Sequence, residues 1–402
     1  MKEIISEIFE KEQLILKKIK NQDLIERHIN LFGFRIEWIV WLRWIWKTTF
    51  LLQKRTKTPN SIYISCDDIV LKSVNFFNLV KEIRKAYNIK TFFIDELQFL
   101  EDWRNVLKNI YDFLDVKVIF SGSSLLSLIS GSVDLSRRVL INKIFPFTFR
   151  EYEKFLGNDL PSLKFDEILN NCFDIAREIS SDISLIRFKE YLAHGQFWYW
   201  FEVKDEKIFY QLLLNSLRKS IYEDLPQVVD IHTSNLKNLE KLILYLANLW
   251  TSEISVNRMA KKIWINYNTC LNYLKFLEDL WWIISMSKWW TISDNLRKER
   301  KFYFSNTNIL YALKSWLEKY DSFVGKVRES FFVFNLMRIK EKYWFDVYFK
   351  THTDFVVKYK DKVYEFEVWW KKKKRSDVFV VKDDILIWNK NEIPLWIWWL
   401  VE

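Results

Sequence analysis

A lysine and two threonines end a short stretch whose spacing suits the binding of a polyphosphate. Residues 41–49 have the spacing G-x-x-x-x-G-K-[ST], with tryptophan at both glycine positions. In such loops, backbone N–H groups and a helix N-terminus point at the phosphates, the lysine bridges the outer phosphates and the hydroxyl holds Mg²⁺. We expect Lys47 and Thr48 to take those two roles. The predicted nucleotide-binding residues are Trp41, Leu42, Arg43, Trp44, Ile45, Trp46, Lys47, Thr48 and Thr49.

Two carboxylates follow a buried apolar strand further along the chain. Residues 91–96 read Thr-Phe-Phe-Ile-Asp-Glu. Asp95 is suited to the Mg²⁺ shell, and Glu96 is suited to polarising the water that attacks a phosphate. A solvated strand end can show the same pattern, but its combination with the stretch at 41–49 favours a nucleotide hydrolase.

Hydroxyls and arginines follow the next apolar strand. The stretch Val-Ile-Phe-Ser-Gly-Ser-Ser at 118–124 supplies Ser121 and Ser123, which we expect to sense the γ-phosphate. Arg137 and Arg138 come shortly afterwards. An arginine here could neutralise charge in the transition state of hydrolysis, or it could form a surface ion pair.

The chain holds little glycine and much tryptophan. Glycine occurs 6 times and tryptophan 21 times in 402 residues, and the two counts together reach the ordinary glycine content of about 7%. A gene that uses UGA for glycine, translated with a table that reads UGA as tryptophan, would give this sequence. The alternative is a tryptophan-rich protein with an aromatic core. The contexts that favour glycine are Trp264 between two helical patterns and the doublets Trp281–Trp282, Trp289–Trp290, Trp369–Trp370 and Trp398–Trp399 at expected turns.

Charge, cysteine content and hydropathy limit the class of protein. The chain has 62 Lys and Arg against 52 Asp and Glu, a net charge of +10, which permits nucleic-acid contact without requiring it. Cys66, Cys172 and Cys270 lie far apart, so we expect buried thiols and neither a disulfide nor a zinc framework. The charged N-terminus and the lack of a long apolar run predict a cytoplasmic protein with no membrane partner.

Short apolar strands alternate with helical patterns from residue 36 to 150. This alternation predicts an α/β fold in which helices flank a parallel sheet, as in P-loop NTPases. Helical patterns follow, and then strands return in an α/β pattern similar to restriction endonucleases. The predicted organisation is a leading helix (1–30), a P-loop ATPase domain (31–155), a helical region (156–235), a winged helix-turn-helix (236–310) and a nuclease-like C-terminal domain (311–402).

Within 236–310, helical patterns at 256–263 and 268–280 are followed by a hairpin-like stretch. This order predicts a winged helix-turn-helix whose last helix would enter a DNA groove. A helix-turn-helix can also serve for packing or dimerisation, so both roles stay open. The candidate DNA-binding residues are Asn268, Thr269, Asn272 and Lys275.

The C-terminal strands carry acidic residues in the order found in PD-(D/E)xK nucleases. Asp354 and Glu367 could hold Mg²⁺, and a lysine would position water or stabilise charge. The lysine is expected two residues after the glutamate, whereas the first lysine here is Lys371. The alternatives are an active nuclease and a degenerate nuclease fold that only binds. The charged run 371–375 fits a solvated turn or a phosphate contact.

Read with glycine for tryptophan, the chain resembles P-loop ATPases of the AAA-14 type joined to a DUF4143 C-terminal region. The motifs that carry the resemblance are Gly-Leu-Arg-Gly-Ile-Gly-Lys-Thr-Thr, Phe-Ile-Asp-Glu-Leu-Gln, Phe-Ser-Gly-Ser-Ser, Leu-Ser-Arg-Arg-Val and Phe-Pro-Phe-Thr-Phe-Arg-Glu-Tyr. Trp198–Tyr199 departs from the family, which usually has Pro-Glu there. The resemblance implies an AAA+ protein that binds and hydrolyses ATP.

Two functions compete at this stage. The first is a Mg²⁺-dependent ATP-hydrolysing switch that acts on DNA or on a protein partner, which could be a second copy of the chain. The second is a non-catalytic DNA-binding regulator with an inactive P-loop. The second function is favoured if the native protein contains these tryptophans, because the side chain of Trp46 would occupy the volume of the phosphates.

Overall fold

The computed structural model describes residues 1–20, 31–40, 47–122, 135, 137–227, 231, 233–249, 253–289, 300–317, 320–350, 353–368, 378–387 and 391–402. The chain forms two compact units. The first consists of Met1–Phe145 with Gln227–Val229, and the second consists of Pro146–Pro226 with Asp230–Glu402. The helical region, the helix-turn-helix and the C-terminal strands all belong to the second unit.

The first unit is built on a five-stranded parallel sheet. Its strands are β1 (Ile36–Val40), β2 (Ser61–Ser65), β3 (Thr91–Asp95), β4 (Lys117–Ser121) and β5 (Leu140–Lys143). Their order in the sheet is β2-β3-β4-β1-β5. Every residue of β1 and β3 is buried, as expected for strands of a parallel sheet that helices cover. The prediction of an α/β fold of the P-loop NTPase kind is confirmed at this level.

Helices flank this sheet and end at recognisable signals. In the helix Phe76–Tyr87, the side chain of Asn75 accepts a hydrogen bond from the backbone N–H of Asn78 at the start, and Asn88 adopts a left-handed conformation at the end. In the helix Lys2–Lys20, the buried carboxylate of Glu12 accepts hydrogen bonds from the Arg55 side chain and from the backbone N–H of Tyr63. The helices are α1 (Lys2–Lys20), α2 (Lys47–Lys57), α3 (Phe76–Tyr87) and α4 (Trp103–Phe113).

The second unit begins with helices and continues into a helix-turn-helix with a two-stranded antiparallel wing of β6 (Ile283–Met286) and β7 (Lys301–Phe304). Two short π-helical segments, Tyr191–Gly195 and Ser220–Asp224, extend helices in this unit. The helices are α5 (Phe149–Phe155), α6 (Phe165–Ile179), α7 (Leu185–Glu190), α8 (Tyr199–Val203), α9 (Glu206–Lys219), α10 (Thr233–Asn248), α11 (Val256–Ile263), α12 (Tyr267–Asp279), α13 (Thr307–Leu313) and α14 (Tyr320–Tyr343).

A mixed five-stranded sheet closes the second unit, and α14 packs against it. Its strands are β8 (Asp346–Lys350), β9 (Thr353–Tyr359), β10 (Lys362–Val368), β11 (Val378–Lys382) and β12 (Glu392–Pro394). Their order in the sheet is β12-β11-β10-β9-β8. The apolar stretch 385–387 forms no strand, and the short strand β12 pairs with β11.

The doublet Trp398–Trp399 was expected at a turn, and that expectation is wrong for this chain. A 3-10 helix, Leu395–Leu400, follows β12 and is fully buried. The ring of Trp398 lies 5.0 Å from that of Phe332, and the ring of Trp399 lies 5.6 Å from that of Phe331. Both tryptophans are therefore part of an aromatic core. The expectation of buried free thiols is confirmed at Cys66, Cys172 and Cys270.

Candidate nucleotide site

The candidate site lies at the carboxyl edge of the parallel sheet, where open α/β folds bind ligands. β1 leads towards Lys47, β3 ends in Asp95 and β4 ends in Ser121. Because β4 lies between β1 and β3, Ser121 stands between the other two groups. Residues 41–46 lie outside the described residues, so the site is defined by Lys47, Thr48 and the strand ends.

Lys47 is the first residue of α2, and its side chain is buried. Its ammonium donates a hydrogen bond of 3.0 Å to the carbonyl oxygen of Gly122. The same Nζ lies 4.0 Å from Oε1 of Glu96. A buried ammonium beside a helix N-terminus is a strong attractor for an anion. Lys47 thus provides a buried positive charge at the carboxyl edge of the sheet.

The carboxylate of Asp95 accepts three side-chain hydrogen bonds at the end of β3. Thr48 Oγ1 donates to Oδ2 at 2.5 Å, Tyr63 Oη donates to Oδ2 at 2.9 Å, and Ser121 Oγ donates to Oδ1. Mg²⁺ prefers hard oxygen ligands and commonly uses one or two protein groups plus phosphate oxygens and water. Thr48 and Asp95 together provide two such oxygens, so these residues fit the predicted magnesium role.

Glu96 adopts a left-handed backbone conformation, with φ of 52°. Its backbone N–H donates to Ser121 Oγ at 3.1 Å, and its carboxylate accepts from the side-chain amide of Gln98. A non-glycine residue in this region of φ/ψ space stores strain, which is often found at functional sites. The turn directs the chain away from β3 immediately after Asp95, and it leaves the Glu96 side chain partly exposed.

Tyr63 belongs to the site although no motif marks it. It lies on β2, next to β3, and burial together with the Asp95 charge raises the pKa of its hydroxyl. The hydroxyl therefore stays protonated and acts as a hydrogen-bond donor to Asp95. Burial likewise raises the pKa of the Cys66 thiol, beyond the end of β2, which keeps this cysteine neutral. No local pattern along β2 could have identified Tyr63, because Ser61–Ile64 are all buried.

Ser121 and Ser123 were expected to sense the γ-phosphate, and Arg137 and Arg138 to neutralise charge in the transition state. The hydroxyl of Ser121 is engaged with Asp95 and with the backbone N–H of Glu96, so it supports the two carboxylates. Ser123 lies outside the described residues. Arg138 precedes β5 at the amino edge of the sheet and pairs with Asp112 at 3.2 Å.

Arg137 is exposed beside Arg138 at that same amino edge. β5 runs parallel to β1, so its beginning faces away from the edge that holds Lys47. A role for Arg137 or Arg138 at the phosphates of the same chain is therefore not supported by the geometry. The surface ion pair that the sequence left open is the arrangement found for Arg138.

The helix-turn-helix presents three of its four candidate residues to solvent. Asn268, Asn272 and Lys275 are exposed on α12, and their spacing places them on one face. Thr269 is half-buried and donates its backbone N–H to the side chain of Asn266, which caps the helix. The exposed face of α12 can reach a ligand, whereas Thr269 serves the start of the helix.

The two C-terminal acidic residues lie on the neighbouring strands β9 and β10, and the nuclease-like site predicted for them stays a prediction. Asp354 accepts a hydrogen bond of 2.9 Å from the backbone N–H of Val368, and burial raises the pKa of its carboxyl. Glu367 lies on β10, and Lys371 is outside the described residues. Among the described residues, no group of three His, Cys, Asp or Glu side chains could hold a metal ion.

Models of two different domains match parts of this chain. Residues 34–153 match the model of an AAA domain. Most of this match lies in the first unit. This match supports an AAA-type ATPase and agrees with the geometry of Lys47, Thr48 and Asp95. Residues 186–320 match a domain of unknown function, DUF8612. The expected DUF4143 assignment is therefore wrong.

The chain is similar to two uncharacterised proteins of Methanocaldococcus jannaschii. It is 31% identical to one over 68% of this chain and 61% of that protein, and 27% identical to the other over 67% and 60%. The chain thus spans about three fifths of the length of these relatives. A solved Hsp104–ADP complex of S. cerevisiae covers 67% of this chain and 39% of its own, with 16% identity and a TM-score of 0.27.

No described helix is long and apolar enough to cross a bilayer.

Proposed function

We propose that this protein is a Mg²⁺-dependent ATPase that works as a nucleotide-driven switch on DNA or on a protein partner. The observation that carries the proposal is the hydrogen bond between Thr48 and Asp95, two oxygen ligands held 2.5 Å apart beside the buried ammonium of Lys47. Lys47 binds the outer phosphates, Thr48 and Asp95 hold Mg²⁺, and Glu96 polarises the attacking water.

Hydrolysis of ATP in the presence of Mg²⁺ tests these roles, in protein with glycine at 41, 44 and 46. We expect Lys47→Ala to abolish nucleotide binding, because the buried cation is lost. We expect Glu96→Gln to retain binding and lose turnover, because an amide cannot accept the proton of water. Matched controls are Lys72→Ala and Glu101→Gln, which alter exposed residues of the same unit. Equal turnover in wild type and Glu96→Gln would remove Glu96 from the mechanism.

Whether the loop contains glycine depends on whether the source organism reads UGA as glycine. We propose that it does, and that a subset of the positions written as tryptophan are glycine in the native protein. Trp264, Trp281 and Trp344 have φ of 61°, 57° and 52°. The side chains of Trp264 and Trp344 are 92% and 89% exposed. A positive φ favours glycine. An indole that is exposed to water buries little apolar surface and so contributes little to stability. These three positions therefore have the backbone that glycine prefers.

A second group of tryptophans has the opposite environment. Trp38 is buried in β1, where its ring stacks on Phe120 at 5.5 Å. Trp398 and Trp399 are fully buried in the second unit. Glycine at these positions would leave cavities the size of an indole, which cores avoid. We infer that this second group is tryptophan in the native protein.

Peptide mass spectrometry of the protein purified from its native host tests this division. Peptides that contain position 264 or 344 should be lighter than the tryptophan sequence by the difference between the two residues. Peptides that contain 398, and fragment ions that report residue 38 without residue 41, should have the tryptophan mass. Tryptophan at 41, 44 and 46 in that protein would refute the recoding of the loop.

That outcome would favour the second candidate function, a DNA-binding regulator with an inactive P-loop. The observation that supports this alternative is the exposed face of α12 formed by Asn268, Asn272 and Lys275. The regulator would bind duplex DNA with equal affinity in the presence and absence of ATP. A change in affinity on adding ATP and Mg²⁺ would instead support the switch. In either case we propose that the nuclease-like C-terminal sheet has a binding role and does not cleave nucleic acid.

A further inference from the structure

A cleft of about 630 Å³ opens at the amino edge of the sheet in the first unit. It lies between the end of α3, the start of β4 and the chain that enters β1. Since the candidate nucleotide site lies at the carboxyl edge, the strands separate the two sites. Its basic lining residues are Arg35, Lys81, Arg84, Lys85, Lys90 and Lys117.

The cleft concentrates positive charge. Six of its lining residues are lysine or arginine and one is acidic, so this small surface accounts for half of the net charge of +10. Like charges at such density repel one another and raise the local concentration of an anionic ligand. Such a cluster differs from an ordinary solvated surface, on which both signs are mixed.

Four of the six cations are available to a ligand. The side chains of Lys81, Arg84, Lys85 and Lys90 are exposed, and none of them forms an ion pair or a side-chain hydrogen bond with the described part of the chain. Lysine and arginine are the residues with which proteins neutralise phosphate groups. These four cations line one cavity and are therefore suited to a ligand with several phosphates.

The other two cations hold the cleft in shape. Arg35 donates to the carbonyl oxygen of Leu114, and its guanidinium lies 4.8 Å from the ring centre of Tyr111. Lys117 pairs with the buried carboxylate of Glu37 at 2.9 Å. That carboxylate also accepts the backbone N–H groups of Phe32 and Gly33, at 3.0 and 3.1 Å. The chain before β1 is thus fixed beside the cleft.

Exposed aromatic rings accompany the free cations. The side chain of Phe113, in the lining, is 73% exposed. Phe32 and Phe34, on either side of Gly33, are 73% and 39% exposed. Proteins that bind single-stranded nucleic acids combine a basic groove for the backbone with aromatic rings on which bases stack. A duplex hides the faces of its bases, so rings of this kind favour an unpaired strand.

We propose that this cleft binds a single-stranded nucleic acid, with the phosphates at Lys81, Arg84, Lys85 and Lys90 and a base stacked on Phe113. The inference rests on the proposed function in that it names the partner of the switch. The site itself needs neither ATP nor Mg²⁺. Binding of the strand can therefore be measured in Lys47→Ala protein, which separates a failure of this inference from a failure of the ATPase proposal.

Fluorescence anisotropy of labelled oligothymidylate and oligouridylate with the full chain at several salt concentrations tests the cleft. For wild type we expect binding that weakens steeply with salt. The triple variant Lys81→Ala/Lys85→Ala/Lys90→Ala should bind at least tenfold more weakly, and its slope of log affinity against log salt should be shallower by about 2, because a single strand contributes about 0.7 per neutralised phosphate. Phe113→Ala should weaken binding by roughly tenfold with the slope unchanged.

One control removes the same charge elsewhere. Lys207→Ala/Lys237→Ala/Lys342→Ala alters three exposed lysines of the second unit. This variant should retain single-strand binding. Equal losses in the cleft triple and the control triple would overturn the proposal. So would retention of affinity in the cleft triple, or binding of polyglutamate in preference to both oligonucleotides. The ratio of the two oligonucleotide affinities distinguishes DNA from RNA.

Discussion

The hydroxyl of Tyr63 on β2 donates a 2.9 Å hydrogen bond to the Asp95 carboxylate on the neighbouring strand β3. Thr48 and Ser121 donate to the same carboxylate from α2 and β4. Three elements of the first unit therefore converge on one acidic group. A carboxylate restrained in this way is preorganised for a cation, because little side-chain freedom is left to lose on binding.

Tyr63→Phe should weaken the hold on Mg²⁺ without unfolding the protein. The change removes one hydroxyl from Asp95 and leaves the ring in its place. Hydrogen bonds to charged groups contribute about 1.5–3 kcal/mol, so the Mg²⁺ concentration for half-maximal ATP hydrolysis should rise by roughly tenfold. Tyr87→Phe, at an exposed ring, is the matched control. An identical Mg²⁺ dependence in wild type and Tyr63→Phe would remove the tyrosine from the site.

The difference between Lys47 and Tyr63 shows what the sequence could and could not predict. Lys47, Thr48, Asp95 and Glu96 could be proposed from the sequence because each proposed role is tied to a local pattern of a strand end or a loop. Tyr63 depends on the register between β2 and β3, in which Ser65 is paired with Asp95. Strand register is a long-range property that a single strand does not encode.

Arg138 and Trp398 were misplaced for related reasons. Arg138 follows the carboxyl end of β4 in sequence, but the chain returns to the amino edge before β5 begins at Leu140. Trp398 stands in a doublet that resembles a turn, yet its neighbours on both sides are apolar and the whole segment is buried. In both cases the fold of the surrounding chain decided the position, and local pattern did not.

Replacing tryptophan by glycine should have opposite effects at positions 264 and 398. The left-handed backbone at position 264 costs an L-residue about 1–2 kcal/mol, and Trp264→Gly removes this cost. Part of the gain is offset by the larger backbone entropy that glycine loses on folding. We expect the free energy of unfolding to rise by up to about 1 kcal/mol. Trp398→Gly empties a core site and should lower it by at least about 3 kcal/mol. Urea denaturation, followed by a signal that reports the tertiary structure of the second unit, measures the free energy of unfolding of both variants.

Trp344→Gly, at an exposed position with φ of 52°, repeats the first test at an independent site. Trp399→Gly repeats the second. If Trp264→Gly and Trp344→Gly both lower the free energy of unfolding by more than 1 kcal/mol, the indoles stabilise the fold and these positions do not prefer glycine.

The exposed face of α12 should bind duplex DNA if the helix-turn-helix is a recognition unit. Asn272→Ala/Lys275→Ala removes one amide and one charge from that face. We expect at least tenfold weaker binding of duplex DNA, with ATP hydrolysis in the absence of DNA unchanged. Lys207→Ala/Asn248→Ala changes the same residue types elsewhere in the second unit and should bind as wild type. Unchanged duplex affinity in the α12 variant would indicate a packing role for this helix.

Lys326 on α14 should make stability depend on pH in the neutral to alkaline range. Its ammonium donates to the carbonyl oxygens of Leu246, Ala247 and Leu249 at the end of α10. Burial lowers the pKa of Lys326 from 10.5 to about 7, although nearby Glu329 opposes the shift. Between pH 7 and 10.5 the unfolded chain therefore binds a proton that the folded chain has released, so stability attributable to this lysine increases as the pH rises.

Comparison of wild type with Lys326→Gln isolates this effect, because glutamine can donate to the carbonyl oxygens and does not titrate. The difference in the free energy of unfolding between the two proteins should shift in favour of wild type by at most about 1.4 kcal/mol per pH unit between pH 7 and 10. It should be constant below pH 6, where the lysine is protonated in both states. Lys326→Met serves as a second non-titrating variant. A pH-independent difference for both variants would show that Lys326 keeps its ordinary pKa in the fold.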